Sequence, residues 1–280
     1  MAAALALLTS LAYGLSNFLG PALSRDSPRF VVLIAGQAVA LVVSFAIVAA
    51  TGQAVPAGTV LAWAALSGVG NAWGLLAFYR AASLGPLSIV TPVASLAVLA
   101  PVATGVASGE PLGPAKLAGL ALALTGVVLA TRAPRNPAGR EQGDVRAAAG
   151  WALFAAMGFG LFYTVIKPAS HDGVFWATGV SRVTLLSAYL IAARVSSAEL
   201  RAPVGRIPVL AVPGVLLFAG TIAYAEATQR GDLSVVSVLG SLFPIVTVGL
   251  AFAFLGERLG RVQALGVIAA IAGVVLVSMR

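Results

Sequence analysis

Ten apolar segments divide this chain, and most of its charged residues fall in the short stretches between them. A helix that crosses a bilayer needs about 20 mostly apolar residues. Of the 280 residues 60% are hydrophobic and 9% are charged, whereas about a quarter of a soluble domain is charged. The sequence therefore excludes a water-soluble fold and predicts an all-α, polytopic membrane protein. The ten predicted transmembrane helices cover residues 2–21, 30–50, 59–80, 87–107, 114–131, 147–167, 174–194, 207–228, 233–255 and 262–279.

The net charge of +8 does not indicate nucleic-acid binding, because the arginines lie singly or in small groups between apolar segments. Such residues anchor helices at the anionic surface of the lipid bilayer, which is the predicted partner of this chain. The sequence has no cysteine and one histidine, His171, with only Asp172 as a nearby carboxylate. We therefore predict no metal site and no cofactor.

An internal repeat relates the two halves of the chain at an offset of 146 residues. Gly85 aligns with Gly231, and Leu87 and Ser88 align with Leu233 and Ser234. After one inserted residue, GEPLG at 109–113 matches GERLG at 256–260. Each half holds five predicted helices, and an odd number means that the second half enters the membrane inverted. We predict a first repeat at 1–131, a polar linker at 132–146 and a second repeat at 147–280.

Inverted repeats are typical of secondary carriers, in which two similar halves expose one site alternately to each side of the membrane. Duplication also builds channels and inert scaffolds, so both remain alternatives. An intramembrane enzyme is disfavoured, because the chain has no HExxH motif, no paired intramembrane aspartates and no serine with a histidine partner. No GxxxxGK[ST] phosphate loop is present either, so a gradient of substrate, protons or another ion would supply the energy.

Several short motifs occur along the chain in a distinctive order: the aromatic pair Phe78 and Tyr79, the GDLSV run at 231–235, SLFPIVT at 241–247 and LGERL at 255–259. Together they resemble the EamA domain of the drug/metabolite transporter superfamily. The resemblance covers nearly the whole chain, is specific in the second half and is looser in the first. It implies two tandem EamA domains and a ten-helix carrier in the cell membrane that exports small molecules such as amino acids, metabolites or drugs.

Two glutamates, Glu110 and Glu257, match the LGE glutamate of that family. Each lies at a helix boundary, where we expect the carboxylate to cap the next helix or to hold a short loop rather than to contact substrate.

Ionisable residues inside spanning segments are candidate functional groups, because the bilayer makes them costly. Arg182 lies in the middle of the seventh segment, where it either binds a substrate carboxylate or pairs with Glu226. Glu226 is either a proton or charge relay or the i,i+4 partner of Arg230.

The remaining cavity candidates are polar or aromatic, and three prolines are expected to bend helices and free backbone carbonyls. The polar and aromatic candidates are Tyr13, Asn17, Asn71, Trp73, Tyr79, Tyr163, Tyr224, Ser237 and Ser241. The prolines are Pro92, Pro101 and Pro244.

Basic residues are unequally divided between the two predicted faces. Lys116, Lys167, Arg230 and Arg280 lie on one face, and the other face carries twelve arginines. Since positive loops are retained in the cytoplasm, the count predicts that both termini are non-cytoplasmic, whereas the family resemblance implies both termini inside. The twelve are Arg25, Arg29, Arg80, Arg132, Arg135, Arg140, Arg146, Arg194, Arg201, Arg206, Arg258 and Arg261.

Overall fold

The described residues of the computed structural model are 1–107, 113–130, 144–231, 233–240, 242–257 and 259–278. They form twelve α-helices and two short 3-10 turns, and no strand occurs among them. The helices are α1 (Ala2–Leu23), α2 (Arg29–Thr51), α3 (Gly58–Leu84), α4 (Leu87–Ala94), α5 (Leu99–Ala107), α6 (Pro114–Ala130), α7 (Val145–Ala169), α8 (Val174–Val195), α9 (Ile207–Arg230), α10 (Leu233–Gly240), α11 (Phe243–Leu255) and α12 (Arg261–Ser278). The 3-10 turns are Ser95–Val98 and Val204–Arg206.

Six of these helices, α1, α2, α3, α7, α8 and α9, are long and apolar enough to cross a membrane. Shorter apolar helices lie at Leu87–Pro101, Phe243–Leu255 and Ala264–Gly273. The all-α membrane class predicted from the sequence is confirmed for the described residues. Helix α7 starts at Val145, inside the predicted linker, rather than at residue 147. The Asp144 carboxylate caps the start of this helix by accepting from the Ala147 N–H at 3.0 Å. Residues 132–143 of that linker lie outside the described residues.

Two predicted segments, 87–107 and 233–255, are interrupted rather than continuous. In the first, α4 contains Pro92 and passes through the 3-10 turn into α5, which contains Pro101. The Ser95 hydroxyl donates to the Pro92 carbonyl at 2.7 Å where the backbone pattern changes. In the second, α10 ends at Gly240, and α11 begins with Pro244 in its first turn. A proline has no N–H for the helix ladder, which is why both interruptions accompany one.

The two halves of the chain are intertwined. Helix α1 packs against α9, α10 and α11, and α7 packs against α3, α4 and α5. Helix α2 contacts α8 and α9, α8 contacts α2 and α3, and α6 lies against α12. Thus the main contacts of α1, α2, α6 and α7 are with helices of the other half.

Glycines allow these helices to approach until their backbones touch. Gly36 of α2 faces Gly214 of α9, and a Cβ atom on either one would overlap the backbone of the other helix. Gly70 of α3 meets Gly158 of α7 in the same way. Lipid offers no hydrophobic drive for helix association, so close contact between small residues must supply the attraction.

Hydroxyl groups on one face of α1 add hydrogen bonds across the same interface. Thr9 donates to the Gly220 carbonyl of α9 at 3.2 Å, and Ser16 donates to the Pro213 carbonyl at 2.7 Å. Ser10 donates to the Leu239 carbonyl of α10. On the other side of the contact, Thr247 of α11 donates to the Gly14 carbonyl at 2.9 Å. These bonds attach α1 to three helices of the second half.

Glu257 caps a helix of the other half of the chain, so the prediction that it caps the next helix is wrong. Its carboxylate accepts from the N–H groups of Leu87 and Ser88, at 3.0 Å and 2.9 Å, which are the first two of α4. Pro86, at the N-cap of α4, supplies no side-chain bond of its own. Gly256 ends α11 in a left-handed conformation (φ 63°), which favours glycine. Glu110, its counterpart in the repeat, lies outside the described residues.

We expect Glu257→Ala to lower the free energy of unfolding by about 1 to 2 kcal/mol, because two helix N–H groups lose a charged acceptor. Glu257→Gln keeps one acceptor oxygen and should lie between alanine and wild type. Thermal unfolding of the purified protein in detergent measures the loss. Exposed Glu199 provides the control, since Glu199→Ala removes a carboxylate without removing a cap. Equal stability of the two alanine variants would contradict the role given to Glu257.

Candidate functional site

Among the described residues, the most buried charged group lies where α8, α9 and α1 meet. Arg182 of α8 is fully buried, and its Nη2 donates to the Thr221 hydroxyl of α9 at 3.0 Å. The Tyr13 hydroxyl of α1 donates to the same oxygen at 3.3 Å, and Thr221 donates in turn to the Leu217 carbonyl at 2.8 Å. A hydroxyl has one donor and two acceptor positions, so Thr221 is fully used. It joins Tyr13 to Arg182 across the interface between the halves.

The rest of the Arg182 guanidinium is not paired. Its Nε and Nη1 have no hydrogen-bond partner among the described residues. Its carbon centre lies 5.8 Å from the centroid of the Phe218 ring, within cation-π range. The hydroxyl of Tyr189, two turns further along α8, and Oε1 of Gln37 on α2 are also buried without a partner in the described part of the chain. Buried groups of this kind are normally satisfied, so the unpaired N–H groups of Arg182 are suited to bind a polar ligand.

A second polar group lies nearby, where α7, α9 and α10 meet. The Tyr224 hydroxyl and the Ser237 hydroxyl are hydrogen-bonded at 2.9 Å. The Tyr163 ring stacks at a tilt on Tyr224 with 5.1 Å between centroids, and Phe162 lies 5.3 Å from Tyr163. These residues form an aromatic wall with hydroxyl groups along it.

The other predicted residues are more widely distributed. Asn17 and Asn71 are both buried, and neither forms a side-chain hydrogen bond within the described part of the chain. Trp73 and Tyr79 line a separate cavity of about 450 Å³ between α2, α3, α7 and α8. Ser241 lies outside the described residues.

Helix α8 contributes to both the separate cavity and the Arg182 cluster. The cavity is lined by Arg29 and Arg80, by Ala192 of α8 and by Ser196, which follows that helix. Arg182, Leu185, Tyr189, Ala192 and Ser196 are spaced three or four residues apart, so they share one face of the helix. Ala192 lies about 15 Å from Arg182 along the helix axis, at 1.5 Å per residue.

Glu226 is not part of this cluster. Its carboxylate forms an ion pair with Arg230 at 2.7 Å, and both side chains are partly exposed. The predicted alternative of an Arg182–Glu226 pair is therefore wrong. Glu226 lies five residues after Thr221, about 140° around α9, so it faces away from the guanidinium. Of the two roles considered for Glu226, the geometry favours the i,i+4 pair.

Comparison with known families gives the chemistry a context. Residues 146–279 match the model of the EamA-like transporter family. The second half of this chain belongs to that family. Its EamA domain begins at the start of α7 and contains Arg182, Thr221, Tyr224 and Ser237. Among the described residues, no group of three or more His, Cys, Asp or Glu side chains could hold a metal ion.

Other comparisons are more limited. An uncharacterized protein of Methanocaldococcus jannaschii is 34% identical over 68 residues, which are 24% of this chain and 50% of the relative. The match thus spans half of that relative's length. One solved crystal structure superposes with a TM-score of 0.61 over 96% of each chain at 19% identity. That likeness shows the fold alone.

The EamA domain does not complete the cluster by itself. It supplies Arg182, Phe218 and Thr221, whereas Tyr13 comes from the first half. Sequence reasoning had selected Arg182 and Tyr13 but not Thr221 or Tyr189. Tyr189 could have been found, because it lies seven residues after Arg182 on the same helix face. Thr221 gave no such signal, since threonines are common in membrane helices.

We expect Thr221→Val to lower the free energy of unfolding by about 1 to 3 kcal/mol, because Tyr13 and Arg182 both lose their acceptor in a buried place. Thr221→Ser keeps the hydroxyl and should remain close to wild type. Thermal unfolding in detergent compares the three proteins. A valine variant as stable as the serine variant would mean that the hydroxyl does not hold this cluster together.

Proposed function

We propose that the chain is a secondary transporter that moves small molecules across the cell membrane by alternating access. Its EamA half belongs to a family of transporters, and the chain is a multi-pass membrane protein. The likeness of 96% of the chain to one solved structure supports treating both halves as parts of one fold.

The pattern of helix contacts supports an inverted repeat, with residues 1–131 and 147–280 as its two units. If the halves are exchanged, the α1–α9 contact becomes α7–α3, and the α2–α9 contact becomes α8–α3; all four contacts are present. The α2–α8 and α6–α12 contacts are unchanged by the exchange. A contact pattern with this property is expected for two units related by a twofold axis. Five membrane crossings in each unit would place that axis in the membrane plane.

One observation carries the proposal: the buried polar cluster lies between the halves and is made by both. Rocking one half against the other would expose Arg182, Thr221 and Tyr13 to either side in turn. Around them, the proposed cavity includes Asn17, Asn71, Tyr163, Tyr224 and Ser237. The interrupted helices on either side, α4–α5 and α10–α11, are of the kind that form substrate sites in carriers.

We further propose that the direction is export, as the family resemblance implies, and that a substrate or ion gradient drives it. A passive channel remains the competing function. The concentration dependence of the flux distinguishes a channel from a carrier, because a carrier binds its substrate at each turnover and a channel does not.

Reconstitution into liposomes tests the proposal. Proteoliposomes loaded with an isotopically labelled bacterial metabolite extract are diluted into buffer, and mass spectrometry identifies the compounds that leave. For each such compound we expect efflux that saturates with concentration and that accelerates when the same unlabelled compound is present outside. Efflux that is linear in concentration without this acceleration would indicate a channel. Liposomes without protein give the leak, and no efflux above that leak for any compound would contradict transport.

The orientation is a separate proposal, in which both termini are non-cytoplasmic. Arg29 and Arg80 line one cavity, which supports placing the first and third basic loops on the same side. Since positive loops are retained in the cytoplasm, that side would be cytoplasmic.

Reporter fusions at the C-terminus test this orientation. We expect alkaline phosphatase to be active there and green fluorescent protein to be dark, because only the phosphatase folds outside the cytoplasm. The opposite pair of results would place the termini inside.

A further inference from the structure

We infer that the substrate is a small organic acid with one net negative charge, and that its carboxylate binds the free N–H groups of Arg182. The inference rests on the proposed transport function and names the chemical class of the substrate. It starts from a fully buried guanidinium whose Nε and Nη1 have no partner among the described residues. A buried charge without a partner is strongly destabilising, so a carrier retains one when a ligand is to supply the partner.

The balance of charge around the site requires an anion. In the described part of the chain, Arg182 is the only buried charged side chain. The two half-buried acids in the described part of the chain are engaged elsewhere, Glu226 with Arg230 and Glu257 with the N-terminus of α4. One bound carboxylate would neutralise Arg182. The ammonium of an amino acid would meet no carboxylate among the described residues, and a cationic drug would be repelled.

The geometry of the guanidinium favours a carboxylate over a phosphate ester. A planar guanidinium donates two parallel N–H bonds to a carboxylate, from Nη2 together with either Nε or Nη1, and Nη2 keeps a second hydrogen beside the one that it gives to Thr221. The carboxylate carries one negative charge. A phosphate monoester carries nearly two negative charges at neutral pH, and one arginine cannot neutralise both charges. The Phe218 ring, which lies over the guanidinium, offers an apolar surface beside the site for the organic part of the acid.

The second cavity strengthens the same conclusion from an independent place. Arg29 and Arg80 line it, and no acidic side chain of the described residues does. Its lining residue Ala192 is on the same face of α8 as Arg182, about 15 Å away along the helix axis. Two positive charges in a partly apolar recess raise the local concentration of anions and lower that of cations.

Matched ligands of different charge test the inference on the purified full-length protein. The aromatic set is 3-phenylpropanoate, its amide, phenylalanine and phenethylamine. The aliphatic set is propanoate, its amide, alanine and propylamine. Inorganic phosphate is tested as a separate ligand. We expect an acid of at least one set to raise the thermal unfolding midpoint and to be taken up by proteoliposomes, and its amide, zwitterion and amine to do neither. In Arg182→Gln the affinity for that acid should fall by at least about thirtyfold.

Two variants separate binding from folding. Arg182→Lys keeps the positive charge and loses the planar guanidinium. It should therefore bind the acid more weakly than wild type but still prefer the acid to the amide. This variant replaces Arg182→Gln in the binding measurements if Arg182→Gln does not fold. Arg230→Gln removes an arginine outside the cluster and should leave the affinity for the acid unchanged.

Three results would overturn the inference: no acid of either set binds, phosphate binds more tightly than every acid, or Arg182→Gln binds the acid as wild type does. Saturable transport of an amine, an amide or a zwitterion in place of the acid would also overturn it while leaving the carrier function intact. Loss of saturable transport for every compound would instead count against the proposed function.

Discussion

In the hydrocarbon of a bilayer, helices must form hydrogen bonds to all of their own backbone groups, and the hydrophobic effect does not drive them together. The rest of the structure depends on how the helices associate under this constraint. The chain meets it with small residues and short hydroxyl side chains. Gly36 against Gly214 and Gly70 against Gly158 bring backbones into direct contact. Hydroxyls of Thr9 and Ser16 then donate to carbonyls on the facing helix. Because these contacts cross between the halves, the protein is one intertwined bundle rather than two adjacent domains.

The same requirement explains how the chain tolerates interrupted helices. After Pro92, the α-helical ladder gives way to a 3-10 turn, and Ser95 supplies a bond to a backbone carbonyl there. At the start of α4, Glu257 satisfies two N–H groups that Pro86 leaves without a side-chain cap. A charged group thus has a structural role when it lies at a helix end, where it compensates the positive end of the helix dipole.

Arg182 differs from Glu257 because the side chains around it do not accept all of its N–H bonds. Thr221 accepts one of its bonds, while Nε and Nη1 have no acceptor in the described part of the chain. In an interior of low dielectric, such a group has a strong preference for a negative partner. Its position between the halves connects this preference to the proposed transport cycle, because the contacts that would change during rocking are the ones around it.

The sequence by itself determined the all-α membrane class, because this depends on local hydropathy, and it predicts a repeat from self-similarity along the chain. It also indicated Arg182 and Tyr13 as candidates, since polar groups inside apolar segments stand out, and it predicted that Glu257 caps the next helix or holds a loop. It did not determine which helix Glu257 caps, that Glu226 pairs with Arg230 rather than with Arg182, or that Thr221 joins Tyr13 to Arg182. Tyr13 and Thr221 are 208 residues apart. Only the packing of the two halves decided these partners, because hydrogen bonds and ion pairs depend on which faces of distant helices meet.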